Sequence, residues 1–386
     1  MPKAKHHGTF RSPSDKPLAA LRNDIDAIDT RLIELLGRRQ QVVERVVAMK
    51  KKRRLPVFHP AREEDVISDR RRKAVDAGLE PDFIEALFRT IMRRSRWEQS
   101  LEMVSQARRP GAAVVIVGGL GEMGGFFARN FSRAGCDVRI IDHDDWPAAA
   151  ERSSAAQLAL LAVPIEATAE AARRLARFLP ADCVLADVTS VKTEAMTAML
   201  AAHRGPVVGL HPLFGPLTQS LDKQVVIATA GRDGEACNWV VEQLADWGAV
   251  VVWADAEEHD RIMAVVQALQ HFATFAFGRF LRQQQVDLPR SLECSSPIYR
   301  LEMGMVGRLF AQNPSLYAEI IFGSDARRRL LEDYLASMAE CAAMVADGDK
   351  AAFIREFREV TRWFGPFADQ AMRESAFLIE RLIERS

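Results

Sequence analysis

The stretch from Val114 to Gly124, Val-Val-Ile-Val-Gly-Gly-Leu-Gly-Glu-Met-Gly, leaves a chain few folds to choose from. Four branched apolar residues run into Gly119-x-Gly121-x-x-Gly124, and Phe126, Phe127 and Phe131 continue at helical spacing. The order is strand, tight turn, helix. In such a turn the first glycine permits the reversal, the second lets backbone approach a pyrophosphate, and the third brings the helix close to the strand. The helix aims its free N–H groups and the positive end of its dipole at the phosphates. A second strand, Asp137 to Ile141, ends in Asp142, where a carboxylate accepts from adenosine ribose hydroxyls and disfavours a 2′-phosphate. The stretch predicts a nicotinamide or flavin dinucleotide site. The alternative is a glycine turn in an α/β fold with no ligand.

A chain of 386 residues suggests two or three domains. It is 48% hydrophobic with 52 basic and 52 acidic residues, so a large core is available and no net charge draws it to nucleic acid or a membrane surface. No apolar run reaches membrane-spanning length, and the start lacks a signal-peptide core. The five cysteines are odd in number and widely spaced, which predicts reduced thiols in a cytoplasmic protein and no structural metal site. Residues 1–17, with Pro2, Pro13 and Pro17, read as a disordered tail.

From Leu18 the pattern changes. Leu21, Ile25, Ile28, Leu32, Leu35, Val42, Val46 and Met49 step by three and four along one amphipathic helix to about Lys52. At ~1.5 Å per residue it is roughly 50 Å long. A short helical unit cannot bury such a rod alone, so it is expected to pack along a second copy. The gap in the seam is Arg39, and a guanidinium there requires an anion. Lys50 shares its face about three turns on, whereas Arg22 points elsewhere. The competing reading is an internal salt bridge to the second or third helix. A break at Leu55 to Pro60 precedes a second helix, with Arg62, Glu63 and Glu64 in its first turn, ending at Ala77-Gly78. Pro81 opens a third, whose Ser95 and Gln99 are polar i,i+4 neighbours able to face the same pocket.

Beyond a linker at 105–112, further strands are expected at Leu158 to Ile165, Val184 to Asp187, Val207 to Leu210, Val225 to Ala228 and Val250 to Trp253. In an open parallel sheet, ligands sit past the carboxyl ends of strands. Ser190 and His211 both fall there. His211 is the candidate base for an alcohol oxidation, since histidine titrates near neutrality. Ser190 either bonds the same hydroxyl, orients the imidazole or caps a helix. Residues 257–386 are helical by pattern, and Ile262 to Phe280, apolar nearly all round, is expected to be buried. Within it, His271 is read evenly as a core histidine or a pocket residue. Arg308, set among Met305, Val306, Leu309 and Phe310, again requires an anion.

Three helices with a long first one, Ala20-Leu21-Arg22, Leu36-Gly37-Arg38-Arg39, Val46-x-x-Met49-Lys50 and Pro60-x-Arg62-Glu63, together resemble the helical, AroQ-type chorismate mutases over residues 18–104. That resemblance implies an intertwined dimer. Arg39, Lys50 and Arg62 then come from one chain and Arg22 from its partner. Glu63 accepts the substrate hydroxyl, Gln99 and Lys50 flank the ether oxygen, and Ser95 lines the pocket. His59 stands where some members carry Asp, and it is left out of the site. The glycine turn, Asp187-x-x-Ser190-Val-Lys192, His211-Pro-x-Phe-Gly-Pro, Glu258-His259-Asp260, Gln267-x-Leu-x-His271 and the segment from Ser295 to Ala311 resemble prephenate dehydrogenases. Mutase followed by dehydrogenase on one chain is the order of the bacterial bifunctional family.

The resemblance implies a three-helix mutase domain (18–104), a Rossmann-like α/β domain (113–256) and an all-α dimerisation and substrate domain (257–386). NAD would contact Gly119, Leu120, Gly121, Glu122, Met123, Gly124, Asp142 and Val163. Chorismate would be rearranged to prephenate, which is then oxidised and decarboxylated with His211 as base. Arg308 would bind a prephenate carboxylate, and His271 would face the substrate. A homodimer and feedback by tyrosine are implied as well. The rival readings are a monofunctional prephenate or arogenate dehydrogenase with a helical dimerisation arm, and a non-catalytic regulator fused to a nucleotide sensor.

Overall fold

The computed structural model describes residues 16–53, 60–103, 107–215, 218 and 220–383, with side chains left out at 16–17, 50–53, 60–61, 97–103 and 381. The break at 54–59, with His59, lies outside the described residues, as does most of the tail.

Three helices open the chain, α1 (Lys16–Arg53), α2 (Pro60–Asp76) and α3 (Pro81–Met103). Gly78, at φ +69°, takes the left-handed position that ends α2, and Leu79 N–H returns to Ala74 O at 2.8 Å. The 38 residues of α1 make a rod of roughly 57 Å. Its seam finds little cover within the chain. Val47 is buried, while Leu21, Ile25, Ile28, Leu32, Leu35, Val42, Val46 and Met49 remain exposed.

The second unit is a seven-stranded sheet with helices on both faces, ordered β2-β1-β3-β4-β5-β6-β7. Its strands are β1 (Ala113–Val117), β2 (Asp137–Ile141), β3 (Leu158–Leu161), β4 (Val184–Asp187), β5 (Val207–Pro212), β6 (Val225–Ala230) and β7 (Val250–Trp253). The helices between them are α4 (Glu122–Arg133), α5 (Ala149–Ser153), α6 (Thr168–Ala176), α7 (Thr193–Ala202) and α8 (Gly234–Asp246). Continuous branched runs build β1, β3 and β4, buried on both faces as parallel central strands require. Their two faces form two separate cores, one around Phe126, Phe127, Phe131 and Trp247, the other around Leu161, Leu175 and Met199.

Two expectations are corrected here. The sheet is mixed, because β6 runs antiparallel to β5. Among the described residues no helix connects the two, and a parallel return needs such a crossover. β3 also stops at Leu161, short of Ile165, where a single 3-10 turn begins.

The linker is docked rather than free at its distal end. Ala107 N–H bonds Ala134 O, Arg108 N–H reaches the Gln243 side chain at 2.7 Å, and the Arg108 guanidinium pairs with Asp246 at 3.0 Å.

The rest is helical. One long helix comprises α9 (Ala256–Met263), a π segment (Ala264–Leu269) and α10 (Gln270–Gln283). It is followed by α11 (Leu288–Glu293), α12 (Pro297–Phe310), α13 (Pro314–Phe322), α14 (Asp325–Ala346), α15 (Lys350–Phe364) and α16 (Pro366–Ile383). The expected burial of Ile262 to Phe280 is not met within one chain. Met263, Ala264 and Ala268 are buried, but Ile262, Val265, Val266, Phe275 and Phe280 are exposed. Among the described residues no helix is long and apolar enough to cross a membrane.

Candidate active sites

The glycine turn is built for close approach. Gly118, not Gly119, takes the left-handed backbone at φ +78°, and a Cβ there would lie 2.4 Å from Ala162 O. Gly119 instead makes room for Ile140 of β2, and a Cβ on Gly124 would sit 2.2 Å from Gly118 O, so α4 starts hard against β1. Gly121 is the N-cap of α4, and no side chain caps the helix. The N–H groups of Glu122, Met123 and Gly124 therefore remain donors for a phosphate. Leu120 is exposed, and its N–H donates to Asp142 Oδ2 at 3.2 Å. Asp142 and Val163 line a cavity of about 350 Å³ together with His143, Trp146, Pro164 and Arg174. Uncapped helix start, close backbone and acidic strand end together fit a dinucleotide.

His211 is the penultimate residue of β5 and is buried. Its Nδ1 lies 2.8 Å from Nε2 of His259, and Nδ1 of His259 lies 2.8 Å from Asp260 Oδ1. The same carboxylate accepts the N–H groups of Lys192 and Thr193 at 2.8 and 2.9 Å. Burial raises the Asp260 carboxyl, but these hydrogen bonds outweigh burial and hold it well below the usual carboxylate range. Asp260 is therefore acceptor only, and with a neutral His259 this sets the chain of protons. His259 donates from Nδ1 and accepts at Nε2, so His211 donates from Nδ1 and keeps its lone pair on Nε2. The Gln267 amide nitrogen meets that lone pair at 3.2 Å. Burial first, then the nearby positive charges of Lys192 and Arg327, push His211 well below its ordinary 6.5. The result is a neutral imidazole whose basic nitrogen is met by Gln267.

Neither ring nitrogen of His211 is held by Ser190, and α7 begins after Lys192, so the orienting and capping readings of Ser190 both give way. Ser190 lies on the loop after β4, with its carbonyl bonded by Arg327 Nη2 at 3.2 Å. Lys192 is wholly buried, paired with Asp187 and bonded to Leu210 O at 2.9 Å, and so ties β4 to β5 beneath the site. On the helical side, the His271 ring packs edge-on to Tyr317 at 4.8 Å. Burial raises the Tyr317 hydroxyl, and the positive charge of Arg308 works against it. Arg308 itself is exposed, and Arg300 is spent on Leu292 O at 3.1 Å.

Sequence reasoning missed four of these residues. His259-Asp260 stood in a quoted motif without a role, Gln267 likewise, and Arg327 was one of three consecutive arginines. Gln267 sits in the π segment, an irregularity common at functional sites.

In the three-helix unit, Arg39 Nη1 donates to Ser95 Oγ at 2.6 Å, and Ser95 Oγ donates to Ile91 O at 3.0 Å. Burial, then the charge of Arg70, lowers the Arg39 guanidinium. The competing internal salt bridge is thus not formed, since among the described residues no carboxylate pairs with Arg39. Glu63 is largely buried, with Arg96 on Oε1 and Lys223 on Oε2 at 3.5 Å. Arg62 and Arg22 are exposed, and the side chains of Lys50 and Gln99 lie outside the described residues.

The chain matches three family descriptions in sequence: "Chorismate mutase type II" over residues 21–100, "Prephenate dehydrogenase, nucleotide-binding domain" over 129–253 and "Prephenate dehydrogenase, dimerization domain" over 255–359. It is 44% identical to a T-protein of Enterobacter agglomerans and 39% identical to one of Haemophilus influenzae. Each match covers 94% of this chain and 97% of the relative. Among solved structures, a prephenate dehydrogenase from Aquifex aeolicus, in complex with hydroxyphenyl propionate and NAD+, shares the fold at TM-score 0.54 and 21% identity. It covers 66% of this chain and 97% of its own. Fold and site thus define a chorismate mutase joined to a prephenate dehydrogenase. The chain belongs to the T-protein family, the bifunctional enzymes of tyrosine biosynthesis.

Proposed function

We propose that each activity is carried out by the residues gathered above. Domain limits of 18–104, 113–256 and 257–386 go with this reading. In the first domain, Arg39, Lys50, Arg62 and the partner's copy of Arg22 hold the two carboxylates of chorismate in a compact conformation. Ser95 lines the pocket, Glu63 accepts the substrate hydroxyl, and Gln99 with Lys50 stabilises charge growing on the ether oxygen. The rearrangement is unimolecular and needs only this clamp. That no carboxylate among the described residues pairs with the half-buried Arg39 supports an anionic ligand there.

In the second site the substrate is prephenate. NAD+, bound at Gly119 to Gly124 with Asp142 on its ribose and Val163 beside it, supplies the hydride acceptor. His211 Nε2 takes the hydroxyl proton, and the positive charge gained is shared through His259 with Asp260. Ser190 bonds the hydroxyl, while Arg308 and His271 hold the carboxylate end. Loss of CO2 leaves 4-hydroxyphenylpyruvate, and the aromatic ring formed drives the step. The fixed tautomer of His211 carries this reading.

The functional unit is a homodimer. Support comes from the uncovered seam of α1, the exposed apolar residues of α9 to α10 and the match to a dimerization domain. The unpaired cysteines suit the cytoplasm. Tyrosine, which shares ring and carboxylate with the product, is the expected feedback inhibitor. A coupled assay tests the whole: NADH should form from chorismate plus NAD+ and from prephenate plus NAD+. NADH from prephenate with no loss of chorismate would reduce the three helices to a dimerisation arm.

A further inference from the structure

Ser95 and Arg96 adjoin on α3 but serve different partners. Ser95 meets Arg39. Arg96, almost fully buried, donates from Nη1 to Glu63 and from Nε to Asp222 Oδ2 at 3.2 Å. Lys223 Nζ stands 3.5 Å from the other Glu63 oxygen. Asp222 and Lys223 do not belong to the helical unit. They form the turn that leads into β6 of the nucleotide-binding sheet.

That turn is firmly held. Leu221 is buried in the sheet's core, Gln224 N–H bonds Leu221 O, and Lys223 N–H bonds Gly248 O, both at 2.9 Å. Lys223 takes φ +58°, a conformation few residues with a side chain adopt. A Cβ on Gly248 would come within 3.0 Å of the Asp222 Cα, so the backbones touch. The side chains of Glu63, Arg96 and Asp222 are only 14%, 10% and 10% exposed. A cluster this sheltered is not a solvated surface bridge, and each charge in it depends on its partner. Asp222 Oδ1 is buried and accepts no hydrogen bond, so this carboxylate is committed to Arg96 through Oδ2.

We propose that Arg96, Asp222 and Lys223 are positioning residues for Glu63, so that the nucleotide-binding domain completes the mutase site of its own chain. The proposal rests on the assignment of Glu63 to that site. Asp222 holds one edge of the Arg96 guanidinium and leaves the other for Glu63. Without Asp222, the guanidinium turns and grips Glu63 with two parallel hydrogen bonds. That grip rotates the carboxylate out of the orientation in which its remaining lone pair meets the substrate hydroxyl.

The test is a double-mutant cycle in the full-length protein, with Glu63→Gln, Asp222→Asn and the double variant. Chorismate consumption and NADH formation from prephenate are measured on each. Asp222→Asn should lower mutase kcat/KM by about tenfold and add nothing once Glu63 is Gln, because residues acting through one another are non-additive. Dehydrogenation of prephenate should stay at the parent rate. Lys223→Met, at a half-exposed site, gives a second cycle without altering the buried Asp222, with a smaller loss and the same non-additivity. Independent losses in the double variants would make the cluster a domain latch and overturn the proposal, as would parent mutase kinetics in both Asp222→Asn and Lys223→Met. Parent kinetics in Glu63→Gln would remove Glu63 from the site, overturning the underlying assignment too.

Discussion

Replacing His259 with Phe keeps a ring of similar girth in a fully buried position but removes both of its nitrogens. Two contacts of 2.8 Å disappear, the one to His211 Nδ1 and the one to Asp260 Oδ1. In the resting enzyme the His211 Nδ1–H then lacks an acceptor, at about 1–3 kcal/mol for a buried donor. The imidazole escapes this by moving its proton to Nε2, the nitrogen that must be bare to act as base. In the transition state the cost is larger, because the imidazolium forming on His211 loses a charge-assisted hydrogen bond of about 1.5–3 kcal/mol. Both effects trace to the same missing acceptor, so the larger one sets the total, roughly 1.5–3 kcal/mol, or about 10- to 150-fold in kcat for dehydrogenation at 1.36 kcal/mol per decade. NADH formation at saturating prephenate and NAD+ measures this, and chorismate consumption by the same sample should be unchanged, showing that the chain is folded. A kcat within about threefold of the parent would refute the fixed-tautomer argument, since threefold is only about 0.7 kcal/mol.

The pH dependence follows from the same imidazole. His211 is held below its ordinary 6.5, so kcat/KM for prephenate should stay level from pH 8 through 6.5 and fall only at lower pH, whereas an unshifted histidine would already be half lost at 6.5. The stability contribution has the sign of a depressed group: it is complete above 6.5, and it is lost as pH falls from there through the folded value, because the unfolded chain protonates first. Thermal melts across pH 5 to 8 read it directly. Asp142→Ser removes the charged acceptor at the end of β2 and the partner of Leu120 N–H. The KM for NAD+ should rise roughly 10- to 100-fold while NADP+ becomes usable, and an unchanged cofactor preference would exclude Asp142 from the ribose. Arg39→Ala should cost mutase kcat/KM roughly 30-fold or more, as truncating one partner of a buried charge pair does, with prephenate oxidation intact. Equal loss of both activities would point to unfolding rather than to a clamp.

The strands and the glycine turn were legible because burial on both faces leaves an unbroken apolar run, and the run at β1 ends in glycines that only a tight turn requires. The antiparallel β6 was not, because strand direction depends on the connection, and the segment from Leu213 to Gln224 gives no periodic signal either way. Ile262 to Phe280 was read correctly as apolar and wrongly as buried. Sequence records the burial of a residue in its working assembly, whereas one chain shows only part of it. The base His211 was found from its position at a strand end. Its partners were hidden, since His259 and Asp260 follow two glutamates at a helix start and look like a solvated first turn. His259 meets His211 across 48 residues of chain, through a contact that no local pattern encodes.

The buried arginines sharpen the point. Arg96 and Arg327 are buried and Arg39 is half-buried, and their surroundings differ in the charge they supply. Arg96 meets two carboxylates, Glu63 and Asp222, and is electrostatically complete within the protein. Arg39 meets a neutral hydroxyl and a second guanidinium, Arg70. Arg327 meets the carbonyls of Ile320 and Ser190, which satisfy its donors but not its charge. Burial accordingly lowers the guanidiniums of Arg39 and Arg327, with Asp260 offsetting only part of the effect at Arg327. A positive charge kept in shelter without its counterion is costly unless something anionic arrives. Arg39 belongs to the crevice assigned to chorismate, a dicarboxylate, whereas Arg96 joins the domains and Arg327 ties α14 to the loop after β4. A sequence shows that an arginine interrupts an apolar face; only its surroundings in the fold separate one that binds the protein to itself from one that waits for substrate.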